Sequence, residues 1–197
     1  MKKICWNYRT PGIPDELFVR GNVPMTKEEV RAITLSKLRL REDSIVVDVG
    51  AGTGSIAIEA AQLCPKGKVI AIERKEEGVA LIRENCTRFQ VEVEILHGNA
   101  AHKLKAIEVF DRVIIGGSGG ELEEIIQLCY DKLTKDGRIV VNSITLETLY
   151  TSIQCLEKIG FSYVEAVSVN VARGRKVGRY TLMEAINPIY VISGVKT

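Results

Sequence analysis

A chain of 197 residues, 46% hydrophobic and 26% charged, has the makeup of one ordinary globular domain and the length to bury a core without staples. Its net charge of +2 is too small to argue for nucleic acid, no apolar stretch approaches the roughly 20 residues of a membrane span, and no apolar signal core follows the two N-terminal lysines. Five scattered cysteines (Cys5, Cys64, Cys86, Cys129 and Cys155) form no C-x-x-C pair and are expected to be reduced and cytoplasmic, not zinc ligands or disulfides.

Residues 1–25 carry Pro11, Gly12, Pro14, Gly21 and Pro24 with few periodic apolars, which predicts an arm lying over a single domain spanning 1–197. Thr26-Lys-Glu-Glu29 has the form of a capping box, with Val30, Ile33, Leu35 and Leu38 as the helical stripe behind it. Ile45-Val-Val-Asp-Val49 is a buried parallel strand by its β-branched run. Helix 53–63, strand 68–73, helix 75–88, strand 91–97, a short helix 101–106, strand 111–116, helix 120–133, strand 138–143 and helix 145–159 follow. This alternation predicts an α/β fold, a parallel sheet with helices on both faces. Beyond Gly160 the pattern changes, and strand-like 161–171 and 180–193 predict a closing antiparallel hairpin over 161–193.

The chemistry begins where the first strand breaks into Gly50-Ala-Gly52-Thr-Gly54. Glycines let the backbone turn sharply and pass close to a ligand, and the helix that follows presents free N–H groups, which suits a nucleotide-like ligand. Asp48 is expected to orient this loop through its backbone N–H groups. The second strand ends in Glu73, placed for both ribose hydroxyls at the carboxyl end of a parallel sheet. The third ends at Gly98-Asn99-Ala100, and the fourth runs into Gly116-Gly-Ser-Gly-Gly120, a floor with room for a bulky planar substrate and with the Ser118 hydroxyl in it. Arg173-Gly-Arg175-Lys176-Val-Gly-Arg179 gathers four cations suited to carboxylates or phosphates. His97 and His102 are weak candidates for a base, no triad or metal cluster is present, and no residue is singled out as catalytic. Three readings stay open on the residues alone: a methyltransferase acting on a small molecule, tRNA or protein; an NAD-linked oxidoreductase; and a non-catalytic cofactor-binding subunit. Ser55 stands where the dinucleotide fingerprint wants Gly or Ala, which counts against the second.

Asp48, Gly50, Gly52 and Gly54 resemble the D-x-G-x-G-x-G signature of S-adenosylmethionine-dependent methyltransferases. Read with Gly12-Ile-Pro-Asp-Glu-Leu-Phe-Val-Arg20, Pro24-Met-Thr-Lys-Glu-Glu-Val-Arg31, Gly116 to Leu122, Asn170-Val-Ala-Arg-Gly-Arg175 and Asn187-Pro188, nearly the whole chain resembles the cobalt-precorrin C-15 methyltransferase (decarboxylating) family of cobalamin biosynthesis. The resemblance implies a class I, Rossmann-like methyltransferase with a mostly parallel seven-stranded sheet, S-adenosylmethionine as donor, and a cytoplasmic homotetramer. The implied reaction methylates C-15 of a cobalt-precorrin of the precorrin-6B type and removes carbon dioxide from its C-12 acetate. It also implies that Thr26, Gly50, Ala51, Gly52, Thr53, Gly54, Glu73, Asn99 and Ala100 meet the cofactor. Asn99 departs from the acid usual there. Gly117, Ser118 and Gly119 are expected to border the substrate ring, with Arg173 and Arg175 clamping its carboxylates. No metal ligand, nucleic acid or membrane partner is implied; cobalt, where present, belongs to the substrate.

Overall fold

The computed structural model describes residues 3–197. Ile45–Val49 (β1), Lys68–Glu73 (β2), Glu94–His97 (β3), Phe110–Ile115 (β4) and Leu133–Ser143 (β5) pair in parallel, while Ile189–Lys196 (β9) runs antiparallel between β5 and Phe161–Val169 (β6). The order β3-β2-β1-β4-β5-β9-β6 is the expected seven-stranded, mostly parallel sheet.

Alternate side chains of each strand enter opposite layers. Val47, Val49, Val113 and Ile115 pack under Ala100–Ala106 (α4), Leu122–Lys132 (α5) and Leu146–Ile159 (α6), while Val46, Ile114 and Val140 meet Glu28–Leu38 (α1), Ser55–Leu63 (α2) and Glu76–Phe89 (α3). The arm covers the second layer. Ile13 and Phe18 are buried against Ile58 and Phe89, with Trp6, Leu17 and Met25 alongside.

Two expectations are corrected. The closing strands β6 and β9 pair antiparallel as expected, but they are not joined by a simple turn: past Asn170-Val171, Ala172–Val177 (β7) with Tyr180–Ala185 (β8) forms a separate ribbon before the chain rejoins the sheet. The ribbon's neck is closed by the Ile186 N–H donating to the Val171 carbonyl at 2.9 Å, and Pro188, with no N–H for a ladder, marks the return. The capping box does not form. The N-cap of α1 is Lys27 without a side-chain bond, because Glu29 turns away to Arg173 instead of reaching back toward Thr26.

Candidate active site

The strand order reverses between β1 and β4, so the turns leaving their carboxyl ends diverge and open a cavity of about 520 Å³. The first turn is held by its neighbour strand. The Gly50 and Ala51 N–H groups donate to the Ile72 carbonyl, and Gly52 N–H donates to Glu73 Oε2 at 2.8 Å. Glu73 Oε1 accepts from Lys75 N–H at 2.7 Å, so this buried carboxylate is aimed by two backbone donors and keeps lone pairs for the cavity it lines. Gly78 gives it that seat: a Cβ there would lie 2.6 Å from Glu73 Cγ. Sequence reasoning missed Gly78, which looks like an ordinary helix residue.

Gly50 has φ +72° and rests directly on the second turn; a Cβ on it would lie 2.6 Å from the Gly117 carbonyl oxygen and 2.7 Å from its nitrogen. Gly116 and Gly117 N–H groups both donate to the Val49 carbonyl, which locks the two turns together.

Asp48 is placed otherwise than expected. The loop N–H groups go to Ile72 and Glu73, and Asp48 Oδ2 is buried at the cavity with no hydrogen-bond partner. Burial away from water, partly offset by the Ala57 N–H in α2 and reinforced by repulsion from Glu73, raises its pKa to about 7.

Among the other expected cofactor residues, Thr26, Ala51, Asn99 and Ala100 line the cavity. Thr53 and Gly54 do not: Thr53 is buried with an unpartnered hydroxyl, and Gly54 backs onto Ile82 while the chain turns into α2. The Asn99 amide is already engaged. Its Oδ1 accepts from the His102 N–H at 3.0 Å as the cap of α4, and its Nδ2 donates to Glu121 Oε2 at 2.6 Å. Neither His97 nor His102 reaches the cavity; His97 Nε2 lies 3.1 Å from the Arg74 carbonyl.

Gly117, Ser118 and Gly119 line the second floor, facing an apolar wall of Val30, Ile144, Val171, Ile186 and Ile189. Asn142, which the sequence did not single out, stands among them with a buried Nδ2 that has no partner, its Oδ1 accepting from Thr34. Arg173 and Arg175 are not in this wall. Arg173 donates to both oxygens of Glu29, at 2.8 and 2.6 Å, and to Asp15 at 3.1 Å, while Arg175 pairs with Glu184 across the ribbon at 3.2 Å. The expected carboxylate clamp is thus a strut between ribbon and arm. The Arg173 hydrogen bond holds the Glu29 carboxyl below its usual range. The strut's stabilisation is therefore complete above the ordinary glutamate range and is lost as pH falls through the lowered value. Arg173→Ala is expected to cost about 1 kcal/mol, discounted for its partial exposure, and to leave acceptor affinity within about twofold. A thermal melt beside an acceptor titration checks both; a large rise in acceptor KM would restore the clamp.

The arm itself is pinned by Arg31, fully buried in α1. Its Nε donates to Glu59 at 2.8 Å, its Nη1 to Asp15 at 2.7 Å and to the Thr26 carbonyl, and its Nη2 to the Ile13 carbonyl. Glu59 in turn accepts from the Gly12 and Ile13 N–H groups. Buried Asn85 clips the Val19 peptide at 2.7 and 3.0 Å and reaches the Thr53 carbonyl at 3.1 Å, tying arm to glycine loop. Val23 to Lys27 of the arm thereby form one side of the cavity. Among the described residues, no cluster of three or more His, Cys, Asp or Glu is placed to hold a metal ion, and no helix is long and apolar enough to cross a membrane.

Comparison with known proteins covers nearly the whole chain. A family model described as the precorrin methyltransferase domain matches residues 16–196. A protein of Saccharolobus solfataricus named "Probable cobalt-precorrin-6B C(15)-methyltransferase (decarboxylating)" is 44% identical over 196 residues, covering 97% of this chain and 98% of the relative. The crystal structure of a precorrin-6Y C5,15-methyltransferase from Geobacter metallireducens superposes with a TM-score of 0.90 at 42% identity, over 96% of this chain and 100% of that one. That of a precorrin 8W decarboxylase from Methanobacterium thermoautotrophicum gives 0.87 at 36% identity, over 92% of this chain and 98% of that one.

Proposed function

This chain belongs to the precorrin methyltransferase family, and from that premise we propose that it methylates C-15 of a cobalt-precorrin of the 6B type and removes carbon dioxide from the C-12 acetate, in cobalamin biosynthesis. We further propose S-adenosylmethionine as the methyl donor. The carrying observation is the paired glycine turns: they pack main chain to main chain at Gly50 and Gly117 and form a cradle lined by the unpartnered Asp48 Oδ2 and the aimed Glu73. A cationic donor with a ribose fits that cradle. Glu73 has lone pairs for the ribose hydroxyls, and two carboxyl groups face the donor's positive charge. Thr26, Gly50, Ala51, Gly52, Asn99 and Ala100 supply the remaining contacts in this reading.

When bound, the donor supplies a methyl group already activated on a sulfonium sulfur. The chain's own task is then placement of the acceptor carbon about 3–3.5 Å from that methyl, in line. Gly117 and Gly119 give a floor bare of side chains except for the Ser118 hydroxyl between them, and Ile144, Ile186 and Ile189 give an apolar wall. A ring seated on that apolar wall would displace water from it, which suits the second step, since an ionised acetate stripped of water releases carbon dioxide more readily, its electron pair passing into the conjugated ring. The ring's π electrons form the new carbon–carbon bond as the carbon–sulfur bond breaks. Neither step requires a protein nucleophile.

We also propose that the protein works in the cytoplasm as a homotetramer. Supporting this are five free cysteines and the ribbon β7–β8, whose Val177, Tyr180, Leu182 and Met183 are exposed apolar side chains of the kind that mark subunit contacts.

Incubation with S-adenosylmethionine and cobalt-precorrin-6B should give a product heavier by one methyl group and lighter by one carbon dioxide. A methyl gained without carbon dioxide lost would overturn the decarboxylating half. No turnover here, with salt-sensitive methylation of tRNA instead, would make tRNA the acceptor.

A further inference from the structure

We infer that Glu121, positioned by Asn99, is the residue that recognises the exocyclic amine of the donor's adenine; this rests on the donor reading above. With the ribose at Glu73, the base extends from the end of β2 toward the end of the neighbouring β3. It enters the slot between Gly98–Ala100 and Ser118–Glu121, with Arg74 at its side. Arg74 closes that slot against the glycine turn, for a Cβ on Gly119 would lie 3.2 Å from its Nη1.

An exocyclic amine is a pure donor and needs an acceptor. Asn99 is the weaker acceptor, because its neutral side-chain oxygen already caps α4, accepting from the His102 N–H, and its nitrogen is turned toward Glu121. Three acids line the cavity: Asp48, Glu73 and Glu121. Glu73 is spent on the loop and the ribose, and Asp48 lies on the far side of Gly50 beneath α2. Glu121 remains. Its main chain is fixed, since its N–H donates to the Ser118 carbonyl at 3.1 Å and its carbonyl accepts the first bond of α5 from the Ile125 N–H. Its carboxylate has no cation partner among the described residues, and its Oε2 is steered by Asn99 at 2.6 Å. Oε1 is left to accept from the ligand. The departure from acid to amide at position 99 thus has a physical account: the amide aims the acid of the next turn instead of carrying the charge itself.

The test compares two ligands within each protein, so partial unfolding cancels. S-adenosylhomocysteine and its analogue with purine in place of adenine, which lacks only the amine, are titrated calorimetrically into wild type, Glu121→Ala and Glu121→Gln. Wild type should favour the adenine form roughly tenfold, the scale of one hydrogen bond to a charged group. Glu121→Ala should bring the ratio close to one, and Glu121→Gln, whose oxygen still accepts, should retain part of it. A wild-type ratio near one, or a full ratio kept in Glu121→Ala, overturns the assignment of Glu121 and leaves the donor reading standing. Failure of wild type to bind S-adenosylhomocysteine at all overturns both.

Discussion

Arg31→Met is expected to lower the unfolding free energy by about 3–5 kcal/mol, the range for breaking a buried ion pair by removing one partner. Methionine keeps much of the aliphatic stem, so the loss is electrostatic and not a cavity. Glu59 would remain in the interior without its guanidinium, Asp15 would keep only Arg173, and the Ile13 and Thr26 carbonyls would lose their donor. Urea unfolding at fixed protomer concentration gives the number. Adding Glu59→Gln should recover part of the loss, because the orphaned charge is then removed as well. A single-mutant loss below 1 kcal/mol would show that the arm is held mainly by the contacts of Ile13 and Phe18. Donor affinity should fall together with stability, since Arg31 also holds the Thr26 carbonyl in the segment that walls the cavity.

Gly50→Ala is expected to weaken S-adenosylhomocysteine binding by more than about 100-fold, the scale set by misplacing a positioned ligand by about an ångström. The new Cβ would meet three backbone atoms of Gly117 within 2.8 Å, and backbone cannot swing aside as a side chain would. The positive φ adds strain of its own. Gly117→Ala is the contrasting variant. Its Cβ finds nothing nearer than Gly50 Cα at 3.9 Å, so the donor should bind normally while the acceptor's floor is narrowed. Calorimetric titration of both variants separates the outcomes, and equal losses would show that the turns act as one flexible loop.

The parts legible in the sequence are those written locally. β1, β2 and β4 are short runs rich in β-branched residues, Glu73 ends a strand, and the glycine turns follow strand ends, so sheet, layers and cavity floor could be placed from pattern alone. The missed parts depend on partners distant in the chain. Arg31 and Glu59 look like solvated positions of amphipathic helices, and nothing nearby reveals that an arm folds over them. Arg173 looks free because Asp15 and Glu29 lie at the opposite end of the chain. Asn85 and Gly78 match helix periodicity, and their roles appear only against Val19 and Glu73. The ribbon was hidden for a different reason: β8 continues the strand-like run that starts at 180 and β7 reads as the connecting loop before it, and only the neck at Val171 and Ile186 detaches the pair from the sheet.

The back-to-back contact of Gly50 and Gly117 also dictates where acceptor preference can be rewritten. Donor floor and acceptor floor are one slab of main chain, without thickness to hold a side chain. Engineering toward a different methyl acceptor has no foothold at Gly50, where an added Cβ evicts the donor first, and at Gly117 it can only narrow the acceptor floor. The adjustable positions are at the perimeter, at Asn142 to Ile144 and Ile186 to Ile189. A library confined to those two short stretches would explore new acceptors while the methylating apparatus stays intact.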